Sequence, residues 1–467
     1  MTQGLGSGNL PIRVCTVGSG PSAFYAVEAL LKASGLDVRV DMFERLPTPF
    51  GLVRGGVAPD HQKIKSVSKV YDKIAEDPRF RFFGNVRIGK DLTIEQLERS
   101  YHAIVWAIGC ESDNRLGVPG EDLAGVCSAT EFVGWYNGHP DFRDRTFDLQ
   151  RSRRVAVVGN GNVAMDCSRI LLQSADRLAD TDIADHALAT LRQSSVTEVV
   201  LLGRRGPAQA AFSPKEIEEI AELPDVDVAV SAEDAHVDEH SAKWLETQAR
   251  SAQRSVKFLQ ECAARGPQDR KKRLTCRFLV APVAFEGDGG RVRAITLQHA
   301  ALDLDKDGTP RARPIDRFTT LEVDLVLKAV GYRGVPLPGL AFDDRRGIIA
   351  NLDGRVLDRV GGAARRGHYV VGWAKRGPTG LVGTNSPDSK ATVEQLLQDV
   401  RAATTLAPTV EGGAEKALRA ANLDFVTWQD WQRLDAHERA QGQDRGKVRH
   451  KEPDVAALLQ AVRALRK

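Results

Sequence analysis

Paired cysteines, long apolar runs and a hydrolytic triad are all missing from this sequence. The six cysteines, Cys15, Cys110, Cys127, Cys167, Cys262 and Cys276, form no C-x-x-C pair and no ligand-like cluster. That spacing speaks against a bound metal and against dithiol chemistry, and it predicts a reducing, cytoplasmic setting. No apolar stretch approaches the ~20 residues that cross a bilayer, so no membrane partner is expected. Met1 to Asn9 is polar and glycine-rich and lacks the basic and apolar blocks of a secretory signal, so it reads as a loose lead-in. A net charge of +3 falls well short of a nucleic-acid binder's balance. No Ser-His-Asp, HExxH or Cys-His constellation supplies a protein nucleophile.

Two glycine-rich turns stand out instead. Gly18-Ser19-Gly20-Pro21-Ser22-Ala23 follows the apolar run Ile12 to Val17, and Gly159-Asn160-Gly161-Asn162-Val163-Ala164 follows Val155 to Val158. Each opens an apolar-periodic helix. Small residues there let backbone approach a pyrophosphate, which sits at the positive helix N-terminus. One such turn is a weak signal, but two imply two dinucleotides and electrons passing between them.

The flanking residues separate the two sites. Glu44 ends the second strand of the first βαβ unit, about twenty residues after the glycines, where a carboxylate accepts hydrogen bonds from ribose hydroxyls. The second unit ends its strand in Gly203-Arg204-Arg205-Gly206-Pro207, with no acid in that place. Two guanidinium groups suit a 2′-phosphate, which predicts NADP there and FAD at the first turn. The bland alternatives are a charged strand end for Glu44 and an exposed arginine pair at the second site. Hydride transfer between two such cofactors needs orientation and exclusion of water rather than a nucleophile.

A chain of 467 residues predicts two or three domains. Ala107-Ile108-Gly109 and Ala329-Val330-Gly331 close apolar strands in the same way, a weak internal echo of two related halves. A helix is expected over 62–76 and another from Pro387 to Arg401. Glu111 to Gly138, rich in glycine, reads as a crossover between domains. Trp428 and Trp431 read as packing anchors of a helical tail.

With these residues in hand, the chain resembles the adrenodoxin-reductase-type ferredoxin–NADP reductases, bacterial flavoproteins included. The matching residues are Val17-Gly18-Ser19-Gly20-Pro21, Pro49-Phe50-Gly51-Leu52-Val53-Arg54, Gly56-Val57-Ala58-Pro59-Asp60-His61, the Gly159 and Gly203 segments, and Gly372-Trp373 followed by Lys375-Arg376-Gly377-Pro378-Thr379-Gly380. The ordered set spans nearly the whole chain. The resemblance implies FAD contacts at Ser22, Glu44, Leu52, Ile88, Trp373 and Gly380, Leu381 and Val382. It implies NADP contacts at Asn160, Gly161, Asn162, Val163, Arg204, Arg205, Glu216 and Gly380. His61 and Glu219 would tune the ring environment and relay protons; the plain alternative for His61 is an interior histidine holding a loop. One departure is visible: where the family carries an arginine, Asn114 stands, with Arg115 beside it; either Arg115 swings in as the substitute or one NADP contact is lost.

The expected architecture is α/β, with two Rossmann-like dinucleotide-binding domains and the NADP domain inserted in the FAD domain. The boundaries are 1–114 and 333–467 for FAD and 115–332 for NADP. The expected activity is electron transfer from NADPH through FAD to an acidic ferredoxin, by a monomer. The basic run at Arg265, Arg270, Lys271, Lys272 and Arg273 is the candidate docking face. Three alternatives remain. A thioredoxin-reductase type needs the absent C-x-x-C, and a glutamate synthase-like flavin subunit needs an N-terminal cysteine cluster. A dinucleotide-binding module without catalysis needs only the two turns.

Overall fold

The computed structural model describes residues 5–7, 10–380 and 382–466. The chain divides into two compact units, one made of Met1–Ser112 and Gly331–Lys467, the other of Asp113–Val330. Unit one therefore uses both ends of the sequence, and unit two is a single inserted stretch.

Unit one is built on a sheet ordered Asn351–Leu352, Arg355–Leu357, Ala364–Val370, Ala103–Trp106, Ile12–Val17, Val38–Phe43, Phe80–Phe83. The last five run parallel, and the first two form an antiparallel edge. Ile12–Val17 lies centrally and is buried almost throughout, as an apolar run covered on both faces must be. Helices Pro21–Leu31 and Asn385–Arg401 join one apolar layer through Phe24, Val27, Leu30, Leu396 and Val400. Trp431 is 2% exposed in that layer, and the Trp428 ring meets Phe24, Phe50, Phe80 and Phe82. Both tryptophans anchor the helix Trp428–Gln443.

Unit two repeats the plan. Its parallel sheet runs Val126–Ser128, Leu325–Lys328, Arg154–Val158, Glu198–Gly203, Lys272–Phe278, Val226–Val230. An antiparallel sheet of Val280–Asp288, Arg291–Leu304 and Pro310–Glu322 is attached to it. The fold is α/β with two dinucleotide-binding halves, one inserted in the other.

Two sequence expectations change. The helix expected over 62–76 is two pieces, Gln62–Lys65 and Ser68–Ala75. Just after Ser66 the N–H groups of Val67, Lys69 and Val70 reach three residues back rather than four, and Ser66 Oγ donates to the Lys63 carbonyl at 2.6 Å. The crossover expected over 111–138 contains an edge strand of the parallel sheet, Val126–Ser128, and a helix, Ala129–Tyr136. Ser128 caps that helix by accepting the Thr130 N–H at 3.0 Å. Its Phe132, Trp135 and Tyr136 are buried; the glycines around it had masked the period.

Candidate functional site

In unit one, the turn after Ile12–Val17 is shaped by close backbone approach. Gly18 has φ +100°, and a Cβ there would lie 2.4 Å from the Ala107 carbonyl oxygen. Only glycine fits. A Cβ on Gly20 would meet nothing within 4 Å. Gly20 precedes helix Pro21–Leu31, and no side chain caps it. The first-turn N–H groups thus lack the usual side-chain acceptor, next to open space.

Glu44 closes this turn from the neighbouring strand. Its Oε2 accepts from the Ser19 N–H (3.1 Å) and Ser19 Oγ (2.6 Å), and its Oε1 from the Leu46 N–H (3.0 Å). A carboxylate has about four acceptor positions, so room for a further hydroxyl remains. Burial pushes its pKa above the usual carboxylate range, against the pull of those donors.

The C-terminal stretch reaches the same turn. A Cβ on Gly372 (φ +70°) would strike Ser22 Oγ at 2.4 Å, and Ser389 Oγ donates to the Ser22 carbonyl at 2.9 Å. Trp373 follows Gly372, with its ring 5.3 Å from that of Tyr332. The buried Trp373 Nε1 has no hydrogen-bond partner. Leu52 begins the short helix Leu52–Gly55, and Ile88 is 6% exposed. Gly380 turns with φ +80°, and Val382 starts a 3₁₀ turn. Leu381 lies outside the described residues. Lys375 and Arg376 are both held on Asp388 of the helix Asn385–Arg401, at 3.0 and 3.1 Å, so one carboxylate offsets one of the two charges. His61 is 9% exposed and begins the helix Gln62–Lys65, its carbonyl accepting the Ile64 N–H at 3.0 Å.

Unit two repeats this geometry. Gly159 has φ +131°, and its Cβ would lie 2.3 Å from the Ala329 carbonyl oxygen; a Cβ on Gly161 would meet nothing within 4 Å. Helix Asn162–Leu172 starts without a side-chain cap. The Asn162 Oδ1 accepts the Ser213 N–H at 2.9 Å, while the buried Asn160 Nδ2 has no partner. Val163 packs on the core as a partly buried side chain. Arg204 is exposed and Arg205 partly buried. Burial, then the charges of Arg204 and Arg311, lower the Arg205 pKa. A cation desolvated beside other cations is a place prepared for an anion.

Glu216 is buried, and its Oε2 accepts from Arg169 Nη1 at 3.0 Å; Glu219 pairs with Lys215 at 3.0 Å and lies 3.9 Å from Arg169. Sequence reading missed Arg169, which is 3% exposed and also meets Asp166 at 2.6 Å. Its i,i+3 spacing from Asp166 was the available signal. Arg115 is exposed and turned onto Asp122 at 2.7 Å and toward Glu121 at 3.7 Å. The Asn114 Nδ2 points to the Val330 carbonyl at 3.4 Å.

The basic run is partly tied down. Asp227 is fully buried and holds Arg265 at 3.0 Å and Arg273 at 3.4 Å. Lys271 faces Asp225 at 3.7 Å, and Arg270 donates to the Leu223 and Pro224 carbonyls. Asp225 and Asp227 thus tie down part of this run at the end of a sheet, and two carboxylates against five cations leave it net positive.

The residues present fit an adenine dinucleotide at each turn, with a carboxylate at the first and arginines at the second. Two such halves define the class of two-cofactor oxidoreductases. No family model matches the chain. Individual relatives do match. The NADPH-ferredoxin reductase FprA of Mycobacterium leprae is 45% identical over 456 residues, spanning 96% of this chain and 97% of that protein. The mitochondrial NADPH:adrenodoxin oxidoreductase of Arabidopsis thaliana is 39% identical over 452 residues, spanning 94% and 93%. The structure of Mycobacterium tuberculosis FprA in complex with NADPH superimposes with a TM-score of 0.90 at 44% identity, covering 97% of this chain and 99% of that one. The chain belongs to the adrenodoxin-reductase-type ferredoxin–NADP reductase family. It is an oxidoreductase of the ferredoxin–NADP(+) reductase type.

Proposed function

We propose that this protein carries electrons from NADPH through a tightly held FAD to a ferredoxin-type iron–sulfur protein. The observation that carries the reading is the pair of matched turns: glycine pressed on a carbonyl, glycine facing open space, and an uncapped helix, once beside Glu44 and once beside Arg204 and Arg205. Bound FAD supplies the conversion of a two-electron hydride donor into a one-electron reductant.

The chain's own residues bind and orient. Gly18, Gly20 and Ser22 receive the FAD pyrophosphate, Glu44 accepts from a ribose hydroxyl, and Trp373 Nε1 offers a free donor. Leu52, Ile88, Gly380, Leu381 and Val382 complete the FAD contacts. Asn160, Gly161, Asn162 and Val163 receive the NADPH pyrophosphate, with Glu216 and Gly380 as further contacts, and Arg204 and Arg205 clamp the 2′-phosphate. Arg115 must leave Asp122 to serve as the family's missing arginine. His61, through an imidazole nitrogen, and Glu219, through a carboxylate oxygen, hold or pass the proton that accompanies flavin reduction.

No described helix is long and apolar enough to cross a membrane. A cytoplasmic monomer that meets an acidic partner, and neither nucleic acid nor membrane, completes the reading. Anaerobic titration of the FAD-loaded protein with NADPH tests it. Bleaching of the yellow colour, followed by its return when a ferredoxin is added, is the expected outcome. Colour that NADPH leaves unchanged refutes the catalytic reading in favour of a binding module.

A further inference from the structure

One buried ionic knot in unit one has no part in the site just described. Glu438, on the C-terminal helix Trp428–Gln443, is 1% exposed. Both its oxygens are taken by Arg54: Nη2 donates to Oε1 at 2.6 Å and Nη1 to Oε2 at 2.8 Å. Arg449 Nη1 donates to Oε2 as well, at 2.7 Å, and Arg449 also binds Asp435. The Arg54 guanidinium lies 5.4 Å from the Trp431 ring centre, and Lys451 Nζ donates to the Arg54 carbonyl at 3.1 Å. Burial pushes the Glu438 pKa up, yet Arg54 and Arg449 hold it down at about 2.

Arg54 sits in the short helix Leu52–Gly55 of the turn that leans on the first glycine turn. The Phe50 N–H donates to the Ser19 carbonyl at 3.0 Å, and a Cβ on Gly51 would lie 3.1 Å from Gly20 Cα. Phe50 itself has φ +84°, a costly conformation for a bulky residue. Its ring is pinned edge-on against Trp431 at 5.6 Å. The strained turn is thus held from outside by one carboxylate and one indole of a helix near the far end of the chain. A buried two-pronged arginine pair fixes direction as well as distance, which a surface pair does not.

We infer that Glu438 is a positioning residue for flavin binding: by gripping Arg54 it sets the Phe50–Gly56 turn against Gly18–Gly20, so that the C-terminal helices act as a strap on the FAD site. This rests on the reading of the Gly18 turn as the FAD site.

The test uses the full chain with Glu438→Gln, which keeps the shape, removes the charge and turns an amide donor toward Arg54. A second variant, Arg54→Lys, keeps the charge but loses the fork. FAD affinity is read from flavin fluorescence quenching, and thermal midpoints are measured with and without FAD. The expected result for E438Q is an FAD Kd raised about tenfold or more, since a buried charge has lost its partner. The rise in Tm on adding FAD should shrink, and the visible circular dichroism of the bound flavin should change. R54K should show the same changes to a smaller degree. A purely structural role would lower the apo and FAD-loaded midpoints equally and leave Kd within twofold; that result overturns the inference. If E438Q does not fold, R54K decides by the same readings. A parent chain that binds no FAD at all overturns the site assignment itself, and the inference with it.

Discussion

The arginines of this protein differ chiefly in whether a carboxylate reaches them. Arg54 and Arg449 close on Glu438, Arg265 and Arg273 on Asp227, and Arg169 on Asp166 and Glu216. Arg205 instead faces further cations, Arg204 and Arg311. Arg311 is itself held by Asp305 at 2.8 Å, so the positive charge offered to a dianionic 2′-phosphate is that of Arg204 and Arg205. Replacing Arg204 and Arg205 by alanine is expected to raise the KM for NADPH roughly tenfold or more, with little effect on NADH, in steady-state dye reduction. Equal losses with both nucleotides would refute the 2′-phosphate role. This pair was legible because a strand end after a glycine turn lacked its acid. The pairing within the run 265–273 was not legible, because the acids that meet it, Asp225 and Asp227, lie about forty residues earlier in sequence and reach it only when two strands pair.

At the scale of elements, the two strand–turn–helix units share one set of steric rules, and these separate two kinds of glycine. Gly18→Ala drives a methyl group into the Ala107 carbonyl at a φ that alanine resists. Both folding and FAD retention are expected to fall, with a stability loss of about 2–4 kcal/mol by denaturant unfolding. Gly20→Ala meets no protein atom, and Gly20 has an ordinary extended conformation. The apoprotein should keep its stability to within about 1 kcal/mol while FAD Kd rises, because the methyl group occupies space next to the first-turn N–H groups. Equal FAD affinity in wild type and G20A would show that the pyrophosphate does not lie there. The same contrast applies to Gly159 and Gly161 with NADPH. Turn chemistry of this kind is local and was readable from six residues. The helix Ala129–Tyr136 was not, because Gly134 interrupts its pattern and the Phe142 ring packs against it, where a Cβ would lie 2.2 Å away.

For the molecule as a whole, acid sensitivity should arise partly in the core of unit one. His368 is fully buried; Trp106 Nε1 donates to its Nδ1 at 3.2 Å, and its Nε2 meets Glu98 at 2.9 Å. This arrangement suits the neutral ring, and burial lowers the pKa to about 4. The unfolded chain takes up the proton near the ordinary value of about 6.5, before the folded protein does. The stabilising contribution is therefore complete above pH ~6.5 and is lost as pH falls toward 4. Calorimetry of His368→Gln should show a Tm loss between pH 7 and pH 5 that is smaller than in wild type by a few degrees. Parallel losses in the two proteins would assign the acid response elsewhere.

By itself the amino-acid order determined the two cradles and the chemistry of their flanks, because backbone sterics, helix starts and strand-end charge act within some twenty to fifty residues. Only the tertiary structure decided which charges remain available. Arg54 meets Glu438 across 384 positions, and the fold alone brings that carboxylate close enough for Coulomb attraction to offset its burial.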